Sequence, residues 1–160
     1  MIKFDYSKVS DVCYSDSDQT TYKKAQEFLV DNVEDWGCGT AWARRYFKNY
    51  KGVDLYPSEW NKNVADLTEY TSDVENILIR QVIECSEDWK KILENAKKSF
   101  RKKLCLIICT PTAEKTHWSE WGMRFKKEDI LDCFKGYKVK EETIKTKQYC
   151  EVDWILYIEK

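Results

Sequence analysis

Asp35, Gly37 and Gly39 stand at alternate positions in Val33-Glu34-Asp35-Trp36-Gly37-Cys38-Gly39-Thr40-Ala41, where an apolar run gives way to a carboxylate and then to two glycines. Glycine has no Cβ, so the backbone can turn tightly there and a ligand can approach the main-chain N–H groups. A helix-like pattern from Trp42 to Tyr50 follows at once. A helix N-terminus would add its own unsatisfied N–H groups to the same point. Strand, turn and helix start together describe a ligand-binding turn. A dinucleotide fingerprint needs a third glycine three residues after the second, for close helix–strand packing. That position is Trp42, which makes a nucleotide-linked oxidoreductase the weakest reading of this segment. A phosphate loop is disfavoured as well, because no Gly-Lys-Ser/Thr follows.

Further chemistry-bearing residues fall where other strands should end. Lys51-Gly52-Val53-Asp54-Leu55 reads as a short strand closed by Tyr56-Pro57-Ser58, and Val64-Ala65-Asp66 as a third, very short one. Asn76 to Val82 is an apolar run of the kind that is buried on both faces, and it contains Arg80 and Gln81. Taken alone, Asp35, Asp54 or Asp66 is an ordinary turn or cap residue. Three carboxylates in order at successive strand ends favour a site, because ligands of open α/β sheets bind beyond the carboxyl ends of the strands.

The elements that must position these residues are legible in the hydrophobic spacing. Ser17 to Val33 is amphipathic, with Tyr22, Ala25, Phe28 and Leu29 near helical spacing, and its helix should end a few residues before Val33 so that Asn32 to Trp36 can be a strand. Ser86 to Lys103 reads as the clearest helix, capped by Ser86, with Glu87 and Asp88 in its first turn. Trp89, Ile92, Leu93, Ala96 and Phe100 trace its apolar face. Leu104 to Cys109 is a second buried strand, stopped by Thr110-Pro111, and Lys126 to Phe134 is a short helix ended by Gly136. Tyr137 to Thr146 and Tyr149 to Glu159 are strand-like and close enough to pair as a hairpin. Alternating strands and helices imply a mostly parallel sheet covered on both faces, with an antiparallel edge.

Composition bounds the reading. The 160 residues are enough for one domain with a real core, taken here as 1–160. With 27 basic and 28 acidic side chains there is no global field to draw the chain to nucleic acid or membranes. The local run Lys97-Lys98 with Arg101-Lys102-Lys103 reads as a solvated helix end. No apolar stretch of about 18 residues exists to span a bilayer, and the first residues lack the apolar core of a signal peptide. The seven cysteines form no C-x-x-C pair, and several sit in apolar runs, which fits a reduced, cytoplasmic setting. With one histidine and no close ligand pair, no metal site is expected.

Asp35-x-Gly37-x-Gly39-x-Ala41 resembles the first motif of class I S-adenosylmethionine-dependent methyltransferases, usually acidic-x-Gly-x-Gly-x-Gly. The resemblance covers nearly the whole chain, from the helix before Asp35 to the terminal hairpin. It implies a Rossmann-like three-layer sandwich with a seven-stranded, mostly parallel sheet and a C-terminal antiparallel hairpin at one edge. It implies S-adenosylmethionine as cofactor, with Gly37, Cys38 and Gly39 passing close to its methionine and ribose portions. Asp35 would orient that loop and reach the methionine ammonium through water. Asp54, with Leu55 after it, is similar to the family's acidic residue ending the second strand, whose carboxylate accepts from both ribose hydroxyls. Ala65-Asp66-Leu67 is similar to the next motif, in which Asp66 accepts from the adenine amine and the Leu67 amide donates to a ring nitrogen. Ile79 to Cys85 resembles the segment facing the sulfonium, with Gln81 or Cys85 where many relatives carry histidine. Alanine at position 41, in place of the third glycine, is tolerable if its φ is negative, since it adds one methyl group at a helix start.

Methyl transfer by in-line displacement would rest largely on alignment and exclusion of water, with oriented approach contributing on the order of 7–11 kcal/mol. The loop Thr112 to Arg124 is the expected substrate wall. It holds His117, the only histidine and a candidate catalytic group, because the ordinary pKa of an imidazole lies near neutrality. Trp118 and Trp121 could stack on a planar or cationic substrate there. Glu84 is a second candidate base. No Asn/Asp-Pro-Pro-aromatic segment follows the Asn76–Val82 strand, which disfavours methylation of DNA bases, and a small-molecule acceptor comes ahead of RNA or protein. The alternative is a regulatory module that binds S-adenosylmethionine without transferring its methyl group.

Overall fold

The structure is a computed structural model that describes residues 16–110, 125–145 and 152–160. Six strands form one sheet: β1 (Asn32–Trp36), β2 (Asn49–Val53), β3 (Val74–Arg80), β4 (Phe100–Thr110), β5 (Lys138–Lys145) and β6 (Val152–Glu159). Their order is β2-β1-β3-β4-β6-β5. The first four are mutually parallel, whereas β6 runs antiparallel to both β4 and β5. The helices are α1 (Asp16–Leu29), α2 (Trp89–Ser99) and α3 (Lys127–Cys133).

Alternation along the strands builds two apolar layers. Ile77 and Ile79 of β3, Leu104, Leu106 and Ile108 of β4, and Leu156 and Ile158 of β6 pack with Trp89, Leu93 and Ala96 of α2 and Ile130 of α3. The intervening Leu78, Cys105, Ile107, Ile155 and Tyr157 face the other way, onto Tyr22, Ala25 and Leu29 of α1. Ile77, Leu78 and Ile79 are all 0% exposed, the signature of a parallel strand covered on both faces.

Several boundaries differ from the sequence expectation, each for a physical reason. α2 stops at Ser99, and Phe100 already pairs with Val74 of β3. From Phe100 onward the apolar residues of that layer, Phe100, Leu104, Leu106 and Ile108, recur on even positions, so the period of two takes over from the helical period. Arg101, Lys102 and Lys103 therefore lie in β4 and not on a helix end. Arg101 pairs with Asp73 and Lys102 with Glu75, while Lys103 donates to the Phe28 carbonyl. Ser86 does not cap α2, which starts after Asp88 with no acidic residue in its first turn. Ser86 instead accepts from the Asp88 amide at 3.2 Å.

The sheet has six strands and not the seven expected. Val64 forms only an isolated parallel bridge with Asp54, because the polar segment around it has no apolar run to bury. The helix expected from Trp42 to Tyr50 is a 3-10 turn, Trp42–Arg45, after which Asn49 enters β2. Tyr50 is drawn into the strand by its pairing with Val33. Among the described cysteines, Cys38, Cys85, Cys105 and Cys133 are free thiols. Among the described residues no helix is long and apolar enough to cross a membrane.

Candidate functional site

The chain passes from β1 outward to β2 and then returns to the opposite side of β1 to form β3. The strand order therefore reverses between β1 and β3, and beyond their carboxyl ends lies the crevice in which sheets of this kind bind ligands. Asp35 and Trp36 end β1, and Gly37 to Ala41 curl over this point. Gly37 and Gly39 adopt φ of 74° and 52°. The Gly37 and Cys38 amides both donate to the Val53 carbonyl at the end of β2, at 2.7 and 3.2 Å.

Gly37 is required twice over. Its φ lies in the left-handed region, and a Cβ at this position would stand 2.3 Å from Cγ2 of Val82, just past the end of β3. Val82 thus closes one side of the turn. Cys38 turns its thiol inward against Gly52, where an added Cβ would meet Sγ at 2.7 Å. Only the main chain of Cys38 is left to meet a ligand.

Asp54 is the organising carboxylate. Its Oδ2 accepts from the Gly39 amide at 2.8 Å, and its Oδ1 accepts from the Tyr56 amide at 3.1 Å. Burial raises its affinity for a proton, and these backbone donors oppose that effect. Asp54 thus holds the glycine loop directly, through the Gly39 amide. Leu55 follows, partly open to solvent, and the bridge to Val64 brings Ala65, Asp66 and Leu67 alongside Asp54. Asp66 is exposed. Its Oδ1 accepts from the amide and hydroxyl of Thr68 at 2.9 and 2.8 Å, which holds its carboxyl below the usual range. Leu67 is buried, and its carbonyl accepts from Asn95 of α2 at 3.0 Å.

Beneath the loop, on the α1 side, lies a buried polar cluster that sequence reasoning only touched through Asp35 and Arg80. Tyr50 donates to Asp35 Oδ2 at 2.7 Å. Burial pushes the Asp35 carboxyl up to about 7, and the Asp54 charge adds to that, while the Tyr50 hydrogen bond and the Arg80 guanidinium oppose it. Arg80 Nε donates to Thr21 at 3.3 Å, and its guanidinium lies 4.8 Å from the Tyr22 ring. The signal that could have found Tyr50 is parity: it pairs with Val33 in the register, so it shares the α1 face with Asp35 two residues on.

Beyond β3, Gln81 adopts φ of 53°, an unusual conformation for a residue with a Cβ. Its amide donates to the Ile107 carbonyl at 2.8 Å, and its side chain donates to Asp153 at 3.1 Å. Glu84 follows on a short turn, 8% exposed. Its Oε1 accepts from the Cys109 amide at 2.8 Å, whereas its buried Oε2 has no hydrogen-bond partner among the described residues. Burial pushes this carboxyl up to about 7. Glu84 and Asp35 thus both sit where a proton can be exchanged near neutrality. His117, Trp118 and Trp121 lie outside the described residues.

Ala41 has φ of 58°, in the left-handed region and not the negative value that its side chain prefers. Left-handed backbone costs a residue with a Cβ roughly 1–2 kcal/mol. Ala41→Gly is therefore expected to leave stability unchanged or raise it by up to about 1 kcal/mol, after the entropy cost of glycine. Denaturant unfolding of the two proteins measures this, and a clear loss in the variant would contradict the strain. Trp42 is buried in the α1-side core with the Arg45 guanidinium 4.0 Å from its ring centroid.

A glycine turn and strand-end carboxylates lie at the reversal point of a Rossmann-like sheet. Comparison with solved structures narrows the class: the chain has the fold of class I S-adenosylmethionine-dependent methyltransferases. Magnesium protoporphyrin IX methyltransferase from Synechocystis PCC 6803, with bound S-adenosylhomocysteine, matches with a TM-score of 0.69 at 15% identity, over 94% of this chain and 90% of that one. The N-methyltransferase NodS from Bradyrhizobium japonicum WM9, in complex with S-adenosylhomocysteine, matches with a TM-score of 0.71 at 10% identity, over 91% and 88%. A methyltransferase from Aquifex aeolicus gives 0.64 at 16% identity, over 98% and 99%. No protein-family model and no curated protein sequence matches the chain.

Proposed function

We propose that this chain binds S-adenosylmethionine at the carboxyl ends of β1, β2 and β3 and transfers its methyl group to a small-molecule acceptor. The observation that supports this best is the Asp54 carboxylate. It is buried at the end of β2 and fixed by two backbone N–H groups, one from the glycine loop itself. Each oxygen accepts one of these bonds and keeps a lone pair for a ribose hydroxyl. The residues fit the cofactor in a second respect. Thr40 Oγ1, inside the loop, is buried without a hydrogen-bond partner among the described residues, and a polar ligand group would satisfy it.

When bound, S-adenosylmethionine supplies an electrophilic methyl group on a sulfonium. Gly37, the main chain of Cys38, and Gly39 shape the wall for its methionine and ribose portions, and Asp35 supplies negative charge beneath them. Asp66 and the Leu67 amide take the adenine edge, with Leu55 beside the nucleoside and Gln81 at the end of β3 facing the reacting centre. Glu84 Oε2 accepts the proton that the acceptor releases, a role suited to a buried carboxylate that titrates near 7. We assign His117, Trp118 and Trp121 to the substrate wall.

Calorimetry with S-adenosylhomocysteine tests the binding. The wild-type chain is expected to bind, and Asp54→Ala to lose about ten-fold or more in affinity, the worth of roughly 1.5–3 kcal/mol for hydrogen bonds to a charged group. Absence of binding to the wild-type chain would overturn the proposal. One observation favours a second reading, a binding module without turnover: the helix after the glycine loop is reduced to Trp42–Arg45. Cofactor-dependent methylation of any member of a small-molecule panel separates the two.

A further inference from the structure

We propose that Arg44 and Trp60 form a clamp that holds the end of the glycine loop in its ligand-binding shape, in place of the helix this chain lacks. The inference rests on the reading of the site as an S-adenosylmethionine site. After Ala41 only the turn Trp42–Arg45 follows. Four residues are too few for a helix to hold the loop by its own hydrogen-bond ladder. Arg44 supplies the hold from its side chain. Its Nη1 donates to the Ala41 carbonyl at 3.0 Å and to the Thr40 carbonyl at 3.4 Å, and its amide donates to the Ala41 carbonyl at 3.2 Å. A strained backbone such as that of Ala41 persists only where its surroundings over-determine it, and these bonds do so.

The guanidinium lies 4.3 Å from the Trp60 ring centroid, within cation–π distance. Trp60 belongs to the segment between Asp54 and Asp66, and that segment is tied down. The Ser58 amide donates to the Asn61 carbonyl, and the Asn61 amide to Ser58 Oγ. The Asn63 side chain then donates to the Gly52 carbonyl of β2 at 2.9 Å. The indole is thus a fixed platform. The loop is joined to the nucleoside-facing segment at two places, by Asp54 at Gly39 and by Arg44 on Trp60 at Thr40 and Ala41. Arg44 and Trp60 are positioning residues, since they act through the loop.

Lysine keeps the charge of Arg44 but not its planar fork or its stacking face. The test is calorimetry with S-adenosylhomocysteine on Arg44→Ala, Arg44→Lys, Trp60→Ala, Trp60→Phe and the double alanine variant, with thermal melting of each. Arg44→Ala and Arg44→Lys are expected to weaken binding about five- to ten-fold and Trp60→Ala about three-fold. Trp60→Phe should stay within about two-fold of wild type, and the double variant should bind no worse than Arg44→Ala. Melting temperatures close to wild type show that the losses are not unfolding, and the Lys and Phe variants keep the comparison where an alanine variant fails to fold. Wild-type affinity in Arg44→Ala, or losses that simply multiply in the double variant, would overturn the clamp while leaving the cofactor reading intact. A wild-type chain that does not bind overturns both.

Discussion

Gly37→Ala is expected to cost the fold about 2–5 kcal/mol, a large share of the stability of a chain this size. Two effects add. Alanine at φ of 74° meets the left-handed penalty of roughly 1–2 kcal/mol. Its Cβ would also stand 2.3 Å from Val82 Cγ2. Val82 is β-branched and stiff at χ1, so the overlap has to be relieved by moving the turn or the end of β3, at about 1–3 kcal/mol. The two contributions separate in a Val82→Ala background, where the methyl that would be struck is gone. There Gly37→Ala should cost only the backbone part, roughly 1–2 kcal/mol. Urea unfolding of the four proteins, with unchanged m-values, measures the difference. Equal costs in both backgrounds would show that Val82 does not set the shape of the turn.

Asp35→Asn should act in the opposite direction, and only in one range of pH. Burial lifts the Asp35 carboxyl to about 7, whereas the unfolded chain releases that proton near the ordinary value of about 3.9. Between those values the folded state holds a proton that the unfolded state has lost. The contribution of Asp35 to stability is therefore full below about pH 4, declines as pH rises towards 7, and is lowest above that. Asparagine does not titrate and still accepts the Tyr50 hydrogen bond. The variant should match wild type near pH 4 within experimental spread and exceed it by about 1–3 kcal/mol at pH 8. That range lies below the roughly 4 kcal/mol implied by the full interval, because the buried asparagine amide carries N–H donors that need partners of their own. Melting curves at the two pH values decide the matter; a difference independent of pH would mean that Asp35 is already ionised at neutrality. Within the proposed function, the same carboxylate is what draws the cofactor's ammonium, so the stabilised variant should bind S-adenosylhomocysteine less tightly.

A residue that destabilises the neutral-pH fold and is nevertheless buried under a glycine turn is the pattern expected where stability is given up for a site. Glu84 shares it: burial pushes its carboxyl up to about 7, with one oxygen fixed by the Cys109 amide and the other without a partner among the described residues. Asp54 differs. Its two backbone donors oppose the effect of burial, and it serves as the joint between loop and strand even without ligand.

The sheet and its two apolar layers were legible from residue order alone. Period-two and period-3.6 spacing report burial directly, and the runs at Asn76–Val82 and Leu104–Cys109 admit no other placement than a doubly covered sheet. The strand-end carboxylates were legible for the same reason, since Asp35 and Asp54 interrupt apolar runs where strands must stop. Three features were not. The helix after Gly39 failed because β2 must begin at Asn49 to pair with β1, and no local preference announces that constraint. The third strand shrank to the Asp54–Val64 bridge because nothing apolar flanks Val64. Ala41 took a positive φ because the turn demands it, whichever residue stands there.

The residue types and their spacing, by themselves, determined a mostly parallel sheet covered on both faces, with a glycine turn and acidic strand ends. Only the tertiary structure decided how that turn is held. Asp54 reaches it from β2, Val82 closes it from β3, and Arg44 secures its last carbonyls against Trp60. These partners are distant from one another in sequence and meet only because the sheet reverses between β1 and β3. Periodicity reports which face of an element is buried; it does not report what waits on the other side.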